Sequence, residues 1–138
     1  GYLERAPHPI PVAGVILDSP VLSLRATIDA KAIRVGGPLA RFCVVPLGRS
    51  ISSVRDGIDW TAVDYLSRAD ELRVPVLLIH DRDDVLIPIA TSDAFAAARP
   101  DLVEYRVTRG AGHTLSCNAD PDGYSAAVGR FIDRLSAP

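Results

Sequence analysis

One stretch constrains the chain more than any other: Val74-Pro75-Val76-Leu77-Leu78-Ile79-His80-Asp81-Arg82-Asp83-Asp84-Val85-Leu86-Ile87-Pro88, followed by Gly110-Ala111-Gly112-His113. A short continuous apolar run bounded by turn residues predicts a strand buried on both faces, here residues 76–80. That strand ends on a cluster of carboxylates. Thr91 to about Ala98 then reads as an alanine-rich helix stopped at Arg99-Pro100, because proline cannot continue the backbone ladder. Leu102-Val103-Glu104-Tyr105-Arg106-Val107 alternates as another strand, and a histidine follows it within a few residues.

The flanks repeat the pattern. Val12-Ala13-Gly14-Val15-Ile16-Leu17 is a second continuous apolar run, ending at Asp18-Ser19-Pro20. Near the other end, Tyr124, Val128, Phe131 and Leu135 recur at helical spacing, with Asp120 as N-cap and Pro121 at the first helical position. Between the first two strands the pattern is weaker. Residues 22–35 are moderately helical, glycine, proline and serine interrupt residues 36–57, and residues 60–72 resume a helix-like spacing. The order strand, insert, strand, helix, strand, helix predicts an α/β fold with a mostly parallel sheet and flanking helices. In such sheets the chemistry gathers at the carboxyl ends of the strands. Asp84 and His113 should both emerge there, despite the 29 positions between them.

Composition narrows the partners. At 138 residues and 48% hydrophobic content, one domain with a real core is expected. The net charge is −2 and Lys31 is the only lysine, so the sequence implies no nucleic-acid partner. Apolar runs of about six residues fall far short of the roughly 20 that span a bilayer, so no membrane contact is expected from this segment. The N-terminus lacks a signal-peptide pattern. Gly1-Tyr2-Leu3-Glu4-Arg5 looks like the last turn of a helix and Pro7-His8-Pro9-Ile10-Pro11 like a loop, which suggests a piece of a longer chain. Cys43 and Cys117 have neither metal-ligand spacing nor a compact disulfide pattern and read as free thiols.

A histidine becomes a general base for a hydroxyl or thiol when a carboxylate accepts its other ring proton, fixing the tautomer and stabilising the imidazolium. Asp84 and His113 are the candidate pair, and Gly110 and Gly112 allow a tight loop to turn the ring back over the sheet edge. A lone Asp and His on loops are usually surface residues; the strand context, the order and the glycines argue otherwise here. A nucleophile is harder to find. Gly48-Arg49-Ser50-Ile51-Ser52 approximates a Gly-x-Ser-x-Gly elbow, but Pro46 breaks the strand it needs and Ser52 replaces the second glycine. Ser116 and Cys117 read as support for the histidine loop, Ser19 as a turn residue, His80 as packed or hydrogen-bonded, and His8 as a loop residue. Asp81-Arg82-Asp83-Asp84-Val85 resembles the nucleophile loop of haloacid-dehalogenase-type phosphatases, which also need a downstream lysine that this chain lacks. No dinucleotide or phosphate-binding glycine loop and no clustered metal ligands occur, so no cofactor is implied.

The segment from Val74 to His80 with Asp84 and Ile87-Pro88 resembles the acid-bearing strand and loop of α/β-hydrolases. Gly110-Ala111-Gly112-His113 is similar to their histidine loop, and Gly14-Val15-Ile16-Leu17-Asp18-Ser19-Pro20 to the strand after the nucleophile helix. The resemblance implies that residues 1–138 are the C-terminal part of one α/β-hydrolase domain, with a variable lid-like insert at about 22–72 in which Tyr65 and Trp60 shape the substrate site, Trp60 reading equally well as a core residue. It implies a serine hydrolase acting on a small ester or amide, with Asp84 as acid, His113 as base and the serine upstream of Gly1. In the family's acid loop a glycine precedes the aspartate by three positions; Asp81 stands there in this chain, which keeps Asp83 in reserve beside Asp84. The competing expectation is a non-catalytic hydrolase-like binding module or half of a two-chain assembly; a fragment with three strands would expose a sheet edge and self-associate, whereas a monomeric chain would favour the independent module.

Overall fold

The structure is a computed structural model that describes residues 11–136, so the helix turn expected at residues 1–5 and the loop through His8 lie outside the described residues. Three parallel strands form its centre: β1 (Val15–Asp18), β2 (Val76–Asp81) and β3 (Val103–Thr108), in the order β1-β2-β3. β2 is paired on both sides, Val76 opposite Val15 and Val103, Ile79 opposite Asp18 and Arg106. All six β2 residues are buried.

The alternation of β2 builds two cores. Val76 and Leu78 face Phe95, Val103, Leu22 and Ala69, while Leu77 and Ile79 face Ala127 and Phe131. Phe95 belongs to α3 (Ile89–Ala98), and Ala127 and Phe131 to α5 (Pro121–Ser136), so a helix covers each face of the sheet. Each fully buried Leu or Ile on β2 stabilises the fold by about 1.5–3 kcal/mol. Tyr124, Val128 and Leu135 complete the α5 stripe as the spacing predicts, and the Asp120 carboxylate caps the helix by accepting the Gly123 amide at 3.0 Å. A single turn, α4 (Ser116–Ala119), precedes α5.

Between β1 and β2 the sequence expectation needs correction. Residues 36–57, where glycine, proline and serine interrupt the sequence pattern, are largely helical: α1 (Leu24–Leu39) passes through a π-turn (Ala40–Val44) into α2 (Val45–Asp56). Gly37 bends the path with φ 66°, a left-handed value that favours glycine, and helical geometry restarts at Pro38. Pro46 sits in the first turn of α2, just past the π-turn. Residues 60–72 contribute less helix than their spacing suggests, a 3-10 segment at Leu66–Glu71.

β1 has no neighbour on its outer edge among the described residues. Along it runs an open, largely apolar groove of about 590 Å³ lined by Val15, Leu17, Val21, Tyr65, Leu72 and Phe95 among others.

Candidate active site

The three strands point their carboxyl ends the same way, and the loops after β2 and β3 meet there. The Asp84 side chain is fully enclosed. One carboxylate oxygen accepts the amides of Leu86 at 2.8 Å and Ile87 at 3.0 Å. The other lies 2.9 Å from Nδ1 of His113. Burial pushes the Asp84 carboxyl up, but the Ile87 and Leu86 amides and His113 outweigh it and hold the carboxyl below its ordinary value. An ionised acceptor at that distance requires the proton on Nδ1, leaving Nε2 of His113 as the acceptor. Nε2 has no hydrogen-bond partner among the described residues, and the ring is 30% exposed. The pair thus has the arrangement in which a carboxylate orients an imidazole and leaves its second ring nitrogen available.

Asp83 sits elsewhere: its carboxylate accepts the Gly110 amide at 2.8 Å. Of the neighbouring aspartates, Asp84 is the one against His113. Gly110 and Gly112, with φ of 74° and 77°, make the turn that carries the ring back over the sheet.

A second histidine stands behind the acid. His80 is wholly buried on β2. Its Nε2 lies 3.2 Å from the Ile87 carbonyl and 3.4 Å from the Asp84 carboxylate, and its Nδ1 lies 2.6 Å from Ser92 Oγ. Because a carbonyl only accepts, Nε2 carries the proton and Nδ1 takes the Ser92 hydroxyl. The sequence marks His80 as packed; its reach to Asp84, four residues on across the β2 turn, was missed.

The other hydroxyls fall into place. Ser50 lies mid-helix in α2 and donates to the Pro46 carbonyl at 3.0 Å, so Gly48-Arg49-Ser50-Ile51-Ser52 forms no strand-turn-helix elbow. Ser19 is buried, with its Oγ 3.4 Å from the Asp18 carboxylate. Ser116 is buried and bonded to Asp18 at 3.1 Å, whereas Cys117 is exposed. Tyr65 lines the groove beside β1. Trp60 instead packs on the insert, donating to the Arg49 carbonyl at 3.3 Å beneath its guanidinium. Among the described residues no group of three His, Cys, Asp or Glu side chains could hold a metal ion.

No known family profile matches the chain. Sequence similarity links 66 of its residues, at 41% identity, to the protein named "Putative carbamate hydrolase RutD" in several Escherichia coli strains, among them O1:K1 / APEC and O45:K1. The match covers 47% of this chain and 24% of the relative. In structure, it is similar to the Pyrococcus furiosus esterase Pf2001 in different crystal forms, with TM-scores of 0.61 and 0.58 at 23% and 20% identity. These superpositions cover 89% of this chain and 44–45% of the esterase. The chain therefore spans about a quarter of the curated relatives it matches and less than half of the esterase.

Proposed function

Because this chain is related to the α/β-hydrolases and carries part of their fold, we propose that it supplies the acid and base of a serine hydrolase. Asp84 orients His113. His113 takes the proton from a serine hydroxyl as that oxygen attacks the substrate carbonyl, then returns it to the leaving group. The serine, in a Gly-x-Ser-x-Gly elbow, and the backbone oxyanion donors come from a segment N-terminal to Gly1. The observation that carries the reading is the 2.9 Å contact between Asp84 and Nδ1 of His113, which leaves Nε2 facing outward at the carboxyl edge of a parallel sheet.

A small carboxylic ester is the proposed substrate. The esterase neighbour and the carbamate hydrolase relative both have names of carbonyl-cleaving enzymes, so amides, thioesters and carbamates belong in the same assay. The test is turnover of short-chain nitrophenyl esters by the full-length reading frame. His113→Ala should lower kcat by about 10⁴- to 10⁶-fold, the order lost when a triad member is removed. Unchanged turnover in His113→Ala, or turnover abolished by Ser50→Ala, would overturn the assignment.

A second reading draws on the unpaired outer edge of β1 and the apolar groove beside it: the chain is half of a two-chain assembly and self-associates through that edge. Sedimentation of the isolated chain separates the two outcomes, dimers or larger species supporting self-association and a monomer at all concentrations opposing it.

A further inference from the structure

Behind the Asp84–His113 contact lies a buried set of bonds that hydrolysis itself does not use. Asp81 is wholly enclosed at the end of β2. One of its oxygens accepts the Asp83 amide at 2.9 Å, and the other accepts the Thr108 hydroxyl at 2.8 Å and the Ala111 amide at 3.1 Å. Burial opposes its charge, but the donors from Thr108, Gly112, Ala111 and Asp83 outweigh it and hold the carboxyl below the ordinary range. With Asp83 accepting Gly110, three successive amides, 110 to 112, turn toward two carboxylates of the acid loop.

The bonds extend to the third strand. Ser116 Oγ donates to Asp18 of β1 at 3.1 Å; it also lies 3.2 Å from Thr108 Oγ1, a contact without a proton to share because Thr108 donates to Asp81. On the far side of His113 the Thr114 amide reaches Ser19 Oγ at 3.4 Å. Ser19 and Thr114 both hold left-handed φ, 48° and 55°, a conformation that non-glycine residues keep only where the surroundings fix it. The ends of all three strands are thereby tied to both flanks of His113.

A loop turned by two glycines has freedom as well as reach, and one ring-to-carboxylate bond does not define its path. We propose that Asp81 is a positioning residue: its buried carboxylate, gripping Thr108 and the loop amides, sets residues 109–114 so that Nδ1 of His113 meets Asp84. Glycine, the residue the α/β-hydrolase pattern places here, offers no such acceptor. The inference rests on Asp84–His113 as the acid–base pair and deepens it, assigning to Asp81 the order of the base rather than any contact with substrate.

The test reads the bond directly. In the full chain labelled with ¹⁵N-histidine, the Nδ1 proton of His113 should give a downfield, slowly exchanging resonance at neutral pH, lost in Asp84→Asn. Asp81→Asn and Asp81→Gly should also lose it, although Asp84 and His113 are intact and β-sheet amides remain protected from exchange. Thr108→Val, which removes one donor and keeps the side-chain shape, should weaken it. If the Asp81 variants do not fold, Thr108→Val decides: a weakened signal supports the inference and an unchanged one overturns it. Folded Asp81 variants with the wild-type resonance overturn it outright. Ester turnover is a separate readout: a full-length protein that turns over no ester while showing the Asp81-dependent resonance overturns the hydrolytic reading and leaves the positioning role standing.

Discussion

The carboxyl edge of the sheet and the helical insert treat their side chains in opposite ways. At the edge, Asp81, His80, Ser92 and Ser116 are all buried and all bonded. From the end of the π-turn along α2, Val44, Leu47, Ile51 and Val54 follow one another at helical spacing and remain 52–90% exposed. The opposite side of the same helix holds it in place: Val45 is buried, and Arg49 pairs with Asp29 of α1. The contrast teaches where this chain is constrained. The geometry around the proposed acid–base pair depends on polar bonds between strand ends, while the insert is anchored by one face only.

The largest expected effect lies at the edge. Asp84→Asn keeps the shape but removes the charge that fixes the His113 tautomer, and should lower kcat of the full-length protein by about 10³- to 10⁴-fold. Next comes the core beneath it: Leu78→Ala, at a fully buried position of β2, should cost about 2–5 kcal/mol in denaturant unfolding. Acid should loosen the edge before the insert. Asp81 and Asp84 have depressed carboxyl pKa values, so the stability they contribute is complete above the unfolded aspartate value, about 3.9, and is lost as pH falls through the folded values. Asp84→Asn should flatten that acid limb in pH-dependent unfolding. The smallest effects belong to the insert: Val54→Ser, at a 90% exposed site, should change stability by less than about 0.5 kcal/mol, and Ser50→Ala should leave ester turnover unchanged. A Val54 variant as destabilising as Leu78→Ala would erase the contrast.

The same division governs what could be read from the sequence. β2 was legible because a continuous apolar run has one stable place in a parallel sheet, and α5 because its stripe and its Asp120 cap agree. The α/β-hydrolase pattern, with an aliphatic and a proline three and four positions after the acid, points through Ile87-Pro88 to Asp84, the aspartate that meets His113. The helices over residues 36–57 were obscured because Gly37 and Pro46 look like breakers, whereas Gly37 bends the path and Pro46 is accommodated just past the π-turn. The roles of Asp81 and His80 were hidden for another reason. Their partners, Thr108 and Ala111 for one and Ser92 and Asp84 for the other, are set by strand register and loop closure, which local spacing does not encode.

The most direct test of the acid–base assignment is to react the full-length protein with a fluorophosphonate and map the modified residue by mass spectrometry. The account predicts one labelled serine, N-terminal to Gly1 in a Gly-x-Ser-x-Gly sequence, with labelling suppressed by His113→Ala. Labelling at Ser50, or labelling indifferent to His113, would contradict it.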